Sequence, residues 1–166
     1  LASRRQRQMC IRDSDKIETA RQFGEDQVQL WRRSYDVLPP LAEKDSQFDP
    51  KTDKKYQNIN EELPLGESLE KVVERVNSTF LNLLELAKVK QVLVVAHGNS
   101  IRAMVKILDN LSNTEIVDVN IPTGIPLAYK ISESERTRIG YLGDSNKVEQ
   151  LQKEVELQSK VKEDKR

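Results

Sequence analysis

The sequence predicts an α/β fold, and three observations carry that prediction. An amphipathic stripe over residues 69–87 reads as a helix. A continuous β-branched apolar run follows at residues 92–96, and helical spacing returns from Ser100 to Leu111. Between the last two stands the small-residue turn His97-Gly98-Asn99. Helix, buried strand, turn and helix in that order are a repeating unit of α/β architecture.

The elements follow one another along the chain. Residues 1–14, LASRRQRQMCIRDS, show neither helix nor strand periodicity and read as an artefact or a disordered basic arm. Residues 15–36 keep near-helical spacing through Ile17, Ala20, Phe23, Gln27, Leu30 and Trp31. Gly24 weakens the middle of that stretch by about 1 kcal/mol relative to alanine, which marks a break. Pro39 and Pro40 stop the helix. Residues 41–64 are polar and contain Pro50 and Pro64, so they form a loop. It exceeds the ~12–15 residues usual for structureless connections, which predicts that it covers something or has a function. Helix resumes near Glu67, with Leu69, Val72, Val73, Val76, Phe80, Leu83, Leu84 and Ala87 on one apolar stripe. Val92 to Ala96 is apolar on both faces, as in a central parallel strand. Ile101, Met104, Val105 and Leu108 space the next helix. Two short strands are expected at Pro126 to Ile131 and Thr137 to Leu142. Residues 144–166 read as a charged helix ending in a tail, with the tail or helix end covering 151–166.

Composition narrows the function. Twenty-seven basic and 27 acidic residues cancel, which argues against a nucleic-acid binder. No apolar run approaches the ~20 residues of a membrane span. Arg4, Arg5 and Arg7 are followed by no long apolar stretch, so a cytoplasmic protein is expected. Cys10 is the only cysteine and His97 the only histidine, which excludes an internal disulfide and a His/Cys zinc site within one chain.

Chemistry points to the turn. In open α/β sheets, ligands bind where strand C-termini meet helix N-termini. Gly98 permits a tight turn and close approach of a ligand. Asn99 or Ser100 is placed to cap the helix. Unpaired N–H groups at a helix start favour an anion such as phosphate. His97 beside them has the chemistry to donate a hydrogen bond or carry positive charge near neutral pH. The same spacing also fits a histidine bonded to backbone and chemically inert. Gly98-Asn99-Ser100 begins like a nucleophile elbow, but Arg102 stands where its second glycine belongs. Arg32 and Arg33 suit a bidentate oxyanion, and equally suit a solvated helix end.

Four segments, DKIETARQFGEDQVQLWRRSYDVLPP, ELPLGESL, VLVVAHGNSIRAMVKILDN and NIPTGIPLAYKI, resemble consecutive stretches of the 2,3-bisphosphoglycerate-dependent phosphoglycerate mutases, a family within the histidine phosphatase superfamily. The resemblance covers residues 15–150 in order. It implies a three-layer α/β/α fold and isomerase chemistry, interconverting 3-phosphoglycerate and 2-phosphoglycerate in glycolysis. It also implies 2,3-bisphosphoglycerate as priming phosphoryl donor and no metal. His97 is similar to the second active-site histidine of that family. Gly98, Asn99, Arg32, Arg33 and Lys16 are similar to its substrate-binding residues. Implied partners are small phosphorylated three-carbon acids, with a homo-oligomer compatible with the resemblance, and neither nucleic acid nor membrane. The family's nucleophile is a different histidine in an R-H-G motif, absent here, as is its catalytic glutamate. The chain therefore resembles a C-terminal portion with its first strand missing. A gap in the sheet and an inactive isolated chain are expected. The alternatives are a phosphatase of the same superfamily and a catalytically dead phosphate-binding short form.

Overall fold

In a computed structural model that describes residues 16–46, 49–60 and 62–157, the first helical stretch is split at Gly24. Helix α1 (Lys16–Phe23) and helix α2 (Glu25–Arg33) meet at this glycine, whose φ of 86° is costly for any residue with a Cβ. The bend lets the two helices share one small core. Ala20 and Val28 are buried, Trp31 packs on them, and the Phe23 ring meets Trp31 edge-on at 5.2 Å. Such an aromatic pair contributes about 0.5–1.5 kcal/mol beyond the area it covers. Helix α2 ends at Arg33, before the prolines expected to stop it. Ser34 takes over the chain direction: its hydroxyl accepts from the Val37 N–H at 3.0 Å and donates to Asp36. Such local side-chain bonds compete with helix continuation.

The chain divides into two compact units, one running to Lys71 and the other starting at Val72. In the first unit the described residues of the long polar loop make an excursion of their own. Its ends meet where the Ala42 N–H donates to the Leu65 carbonyl at 3.0 Å. Two single 3₁₀ turns, Pro50–Thr52 and Lys54–Tyr56, fill it, and Tyr56 and Leu63 are buried. Asp49 organises it. Its buried carboxylate accepts from the Asp45 N–H at 2.9 Å and the Lys51 N–H at 2.8 Å. Those two backbone bonds hold its pKa below the ordinary aspartate value.

Helix α3 (Leu69–Ala87) carries the expected stripe, with Leu69, Val72, Val76, Phe80 and Leu84 buried. The Ser68 hydroxyl accepts from the Lys71 N–H and closes its first turn. In the second unit, helix α4 (Gly98–Leu108) precedes a hairpin of β1 (Leu127–Ile131) and β2 (Arg136–Tyr141), then helix α5 (Ser145–Leu157). The strands are antiparallel, pair Leu127 with Tyr141, and carry an irregularity between Ala128 and Tyr129. Asp109, just past α4, accepts from the Tyr129 hydroxyl at 3.1 Å and from Arg138 at 2.9 Å, tying the helix end to the hairpin. Burial and this bond raise the Tyr129 pKa well above the phenol range. Asn110 ends the helix in the left-handed region at φ 51°, a conformation asparagine tolerates.

Helices and strands together make the chain α/β, as expected, but one strand differs. Residues 91–97 form no strand, and the β1–β2 hairpin is the sheet among the described residues. Leu93 and Val95 are 82% and 84% exposed rather than buried. A parallel strand exists only through ladder bonds to neighbours, and apolar sequence alone supplies none. The expected arm 1–14 and the end of the tail, 158–166, lie outside the described residues.

Two outcomes follow for unit-level stability. Asp49→Ala should cost about 1 kcal/mol, as loss of a capping acceptor does, and release the loop to proteolysis. Because folding depresses this carboxyl's pKa, its contribution is complete above the ordinary aspartate range near about pH 4 and is lost as the pH falls through the depressed value. Hydrogen exchange at the Asp45 and Lys51 amides followed down to acid checks this. Leu93→Lys with Val95→Lys should change urea stability by less than about 0.5 kcal/mol, since both side chains already face water. Light scattering of the double variant should show less self-association, as the lysines replace exposed apolar side chains.

Candidate anion site at the start of helix α4

Helix α4 begins at Gly98, two residues earlier than expected, and its capping group follows from that. Gly98 is the first helical residue, so the N-cap position falls on His97, with φ −66° and ψ 153°. The predicted caps, Asn99 and Ser100, lie inside the first turn instead. The imidazole does the work usually done by a serine or aspartate oxygen: Nδ1 accepts from the Asn99 N–H at 3.3 Å. The His97 carbonyl accepts the first intrahelical bond, from the Ile101 N–H at 3.0 Å. An accepting Nδ1 is unprotonated, so in the neutral ring the proton sits on Nε2.

Gly98 has a different reason to be glycine from the one its turn position suggested. Its φ is not positive, and a Cβ built on it meets nothing within 4 Å. The backbone therefore does not require glycine here, which corrects the tight-turn expectation. What glycine provides is open space directly over a helix start, where the field favours negative charge by about 0.3–1 kcal/mol at an exposed site.

Asn99 is held twice. Its N–H is engaged by His97, and its side-chain oxygen accepts from the Arg102 guanidinium at 3.3 Å. Arg102 is 5% exposed, the feature that sequence reading missed. Its second amino group donates to the Ile116 carbonyl at 2.8 Å, in a 3₁₀ turn (Glu115–Asp118) whose Ile116 is fully buried. The sequence signal for it is a charged residue flanked by Ile101, Ala103, Met104 and Val105, three positions after Asn99. Buried α4 residues are Ser100, Arg102, Ala103 and Val105, whereas the predicted Ile101 and Met104 are half-buried.

The remaining predicted residues belong to the first unit. Arg32 and Arg33 form the last turn of α2, half-buried, where cations complement the negative end of the helix dipole, and Glu25 and Asp26 occupy its first turn. Lys16 opens α1, and its side chain lies outside the described ones. His97, Gly98 and Asn99 are thus brought together on one helix start, and the arginines form a separate pair. Among the described residues no group of three or more His, Cys, Asp or Glu is arranged to hold a metal ion, and no helix is long and apolar enough to cross a membrane.

A helix start with a histidine cap, a bare glycine and an oriented carboxamide is built from anion-binding parts. Residues 17–137 match the histidine phosphatase superfamily (branch 1). The chain belongs to that superfamily. It is also 42% identical over 151 residues, 89% of its length, to a 2,3-bisphosphoglycerate-dependent phosphoglycerate mutase of Lachnoclostridium phytofermentans. It spans 61% of that relative's length.

Nitrogen chemical shifts of the sole histidine should show Nε2 protonated and Nδ1 bare in the neutral ring, and the opposite tautomer would contradict the cap. His97→Ala should lower stability by about 1 kcal/mol, while His97→Asn, which keeps a capping acceptor, should restore most of it.

Proposed function

We propose that this chain carries the phosphate-binding helix start of a 2,3-bisphosphoglycerate-dependent phosphoglycerate mutase, interconverting 3-phosphoglycerate and 2-phosphoglycerate in the cytoplasm as a step of glycolysis. The observation that carries the reading is the 42% identity over 151 residues to such a mutase, centred on a chain whose His97-Gly98-Asn99 turn has anion-binding geometry. Small phosphorylated three-carbon acids are the ligands. Gly98 N–H, the Asn99 carboxamide and His97 Nε2–H supply donors for phosphoryl oxygens. Phosphoryl transfer is chiefly positioning and stabilisation of charge on three oxygens, which such donors provide. In this reading Arg32, Arg33 and Lys16 of the first unit are also binders of substrate anions, and guanidinium forks match a carboxylate bidentately. The same donors fit either phosphate of 2,3-bisphosphoglycerate, which supplies the phosphoryl group that primes the cycle.

His97 already spends Nδ1 on the cap, so it acts in this scheme by donating from Nε2 to an oxygen, as a stabiliser of charge. The phosphohistidine intermediate requires another histidine, and this chain contains only one. The 166-residue chain by itself is therefore without mutase turnover in this proposal.

The reading is tested by titrating 3-phosphoglycerate into the labelled chain and following the Gly98 and Asn99 amides. Saturable shifts are expected, and unmoved amides would remove the proposal. Gly98→Ala should hold or raise the melting temperature, since alanine favours helix by about 1 kcal/mol over glycine, yet weaken binding by filling the open space. Joining the chain to the part of the relative that it does not span should yield mutase turnover in excess of phosphatase turnover. The reverse ratio would favour a phosphatase.

A further inference from the structure

We propose that Arg102 is a positioning residue for this anion site: its buried guanidinium takes the carboxamide oxygen of Asn99 and so commits the Asn99 amino group to the ligand. The proposal rests on the reading that the start of α4 binds phosphorylated acids, and it adds a residue that the resemblance did not bring to that site.

Arginine at 5% exposure is uncommon, and its placement is specific. The guanidinium spans two elements. One amino group reaches the Ile116 carbonyl at 2.8 Å and the other the Asn99 Oδ1 at 3.3 Å. The shorter bond goes to a fully buried residue, so Ile116 anchors the head and Asn99 is the group being set. A guanidinium carries donors only. Whichever way a carboxamide is drawn, the end facing Arg102 must be the oxygen. The Asn99 Nδ2 then points the other way, and among the described residues it donates to no partner.

That choice of end matters to an anion. A carboxamide turned by half a revolution would offer its oxygen, an acceptor, to phosphoryl oxygens and repel them. With the oxygen committed to Arg102, the donor face is ready before the ligand arrives, which is the preorganisation that electrostatic stabilisation needs. The backbone of the same residue is fixed by His97 Nδ1. Arg102, Asn99 and His97 are therefore one hydrogen-bonded series, with Ile116 as its fixed end. A lysine at 102 has no fork and holds one carbonyl as a point charge, not two groups at once.

The test is a double-mutant cycle on the 166-residue chain, with 3-phosphoglycerate as probe and the Gly98 amide as reporter. Arg102→Lys should weaken binding about tenfold when Asn99 is present and less than about twofold in the Asn99→Ala background, because the two act as a unit. Equal losses in both backgrounds would overturn the proposal and leave Arg102 a purely structural anchor, as would a fall in melting temperature with unchanged affinity. If Arg102→Lys does not fold, the unsubstituted chain still decides. The Asn99 side-chain NH₂ resonances should shift with 3-phosphoglycerate in step with the Gly98 amide. A Gly98 shift without an Asn99 NH₂ shift overturns the role of Arg102 while sparing the phosphate site. Unmoved Gly98 and Asn99 signals remove both.

Discussion

The bond from the Asn99 N–H to His97 Nδ1 governs where helix α4 starts, and with it everything placed on that helix. A helix start leaves several N–H groups without internal partners, and a cap satisfies one of them. Here the cap is an aromatic ring with a second nitrogen. Nδ1 is thereby used for folding, and in the neutral ring the proton sits on Nε2. A serine or aspartate would cap as well and would bring no ring donor. The cost is that the ring's tautomer is no longer a free variable.

The rest of the second unit makes that start rigid. The far end of α4 is fixed by Asp109, which holds Tyr129 and Arg138 of the hairpin, and its middle by Arg102 gripping Ile116. The bond from Arg102 to Ile116 is buried and differs in worth from the exposed pairs, Arg138 with Asp109 among them. Lys153 with Glu149 on α5 lies open to solvent, and such pairs contribute roughly 0–1 kcal/mol. Breaking a buried, charge-assisted bond leaves a desolvated group behind and costs more, about 1–3 kcal/mol. Site precision in this chain thus comes chiefly from the buried contact of Arg102 with Ile116, consistent with functional groups held on rigid elements.

Much of this was legible beforehand. Gly24 marked a real break because positive φ is a backbone property that a single residue type announces. The α3 stripe and the hairpin strands lay where periodicity put them, to within a residue or two. The His-Gly-Asn turn was recognisable as a helix start beside an apolar run. Three features were not legible. The cap lies at His97, two positions before Asn99, because helix boundaries shift by one or two residues when several side chains can serve. That Arg102 is held by the Ile116 carbonyl, fourteen positions later, does not show in the local pattern. Val92 to Ala96 reads as a buried strand although Leu93 and Val95 stand open to water.

The amino-acid order by itself determined helix stripes, breaks, the short strands and the residue types gathered at one turn, because each depends on neighbours within a few positions. Tertiary structure alone decided which atom caps α4, which end of Asn99 is held and whether an apolar run becomes a strand. Those outcomes depend on groups distant in the chain: a carbonyl for a guanidinium, a ladder partner for a strand. A local pattern can ask for such groups, and only the folded chain supplies or withholds them.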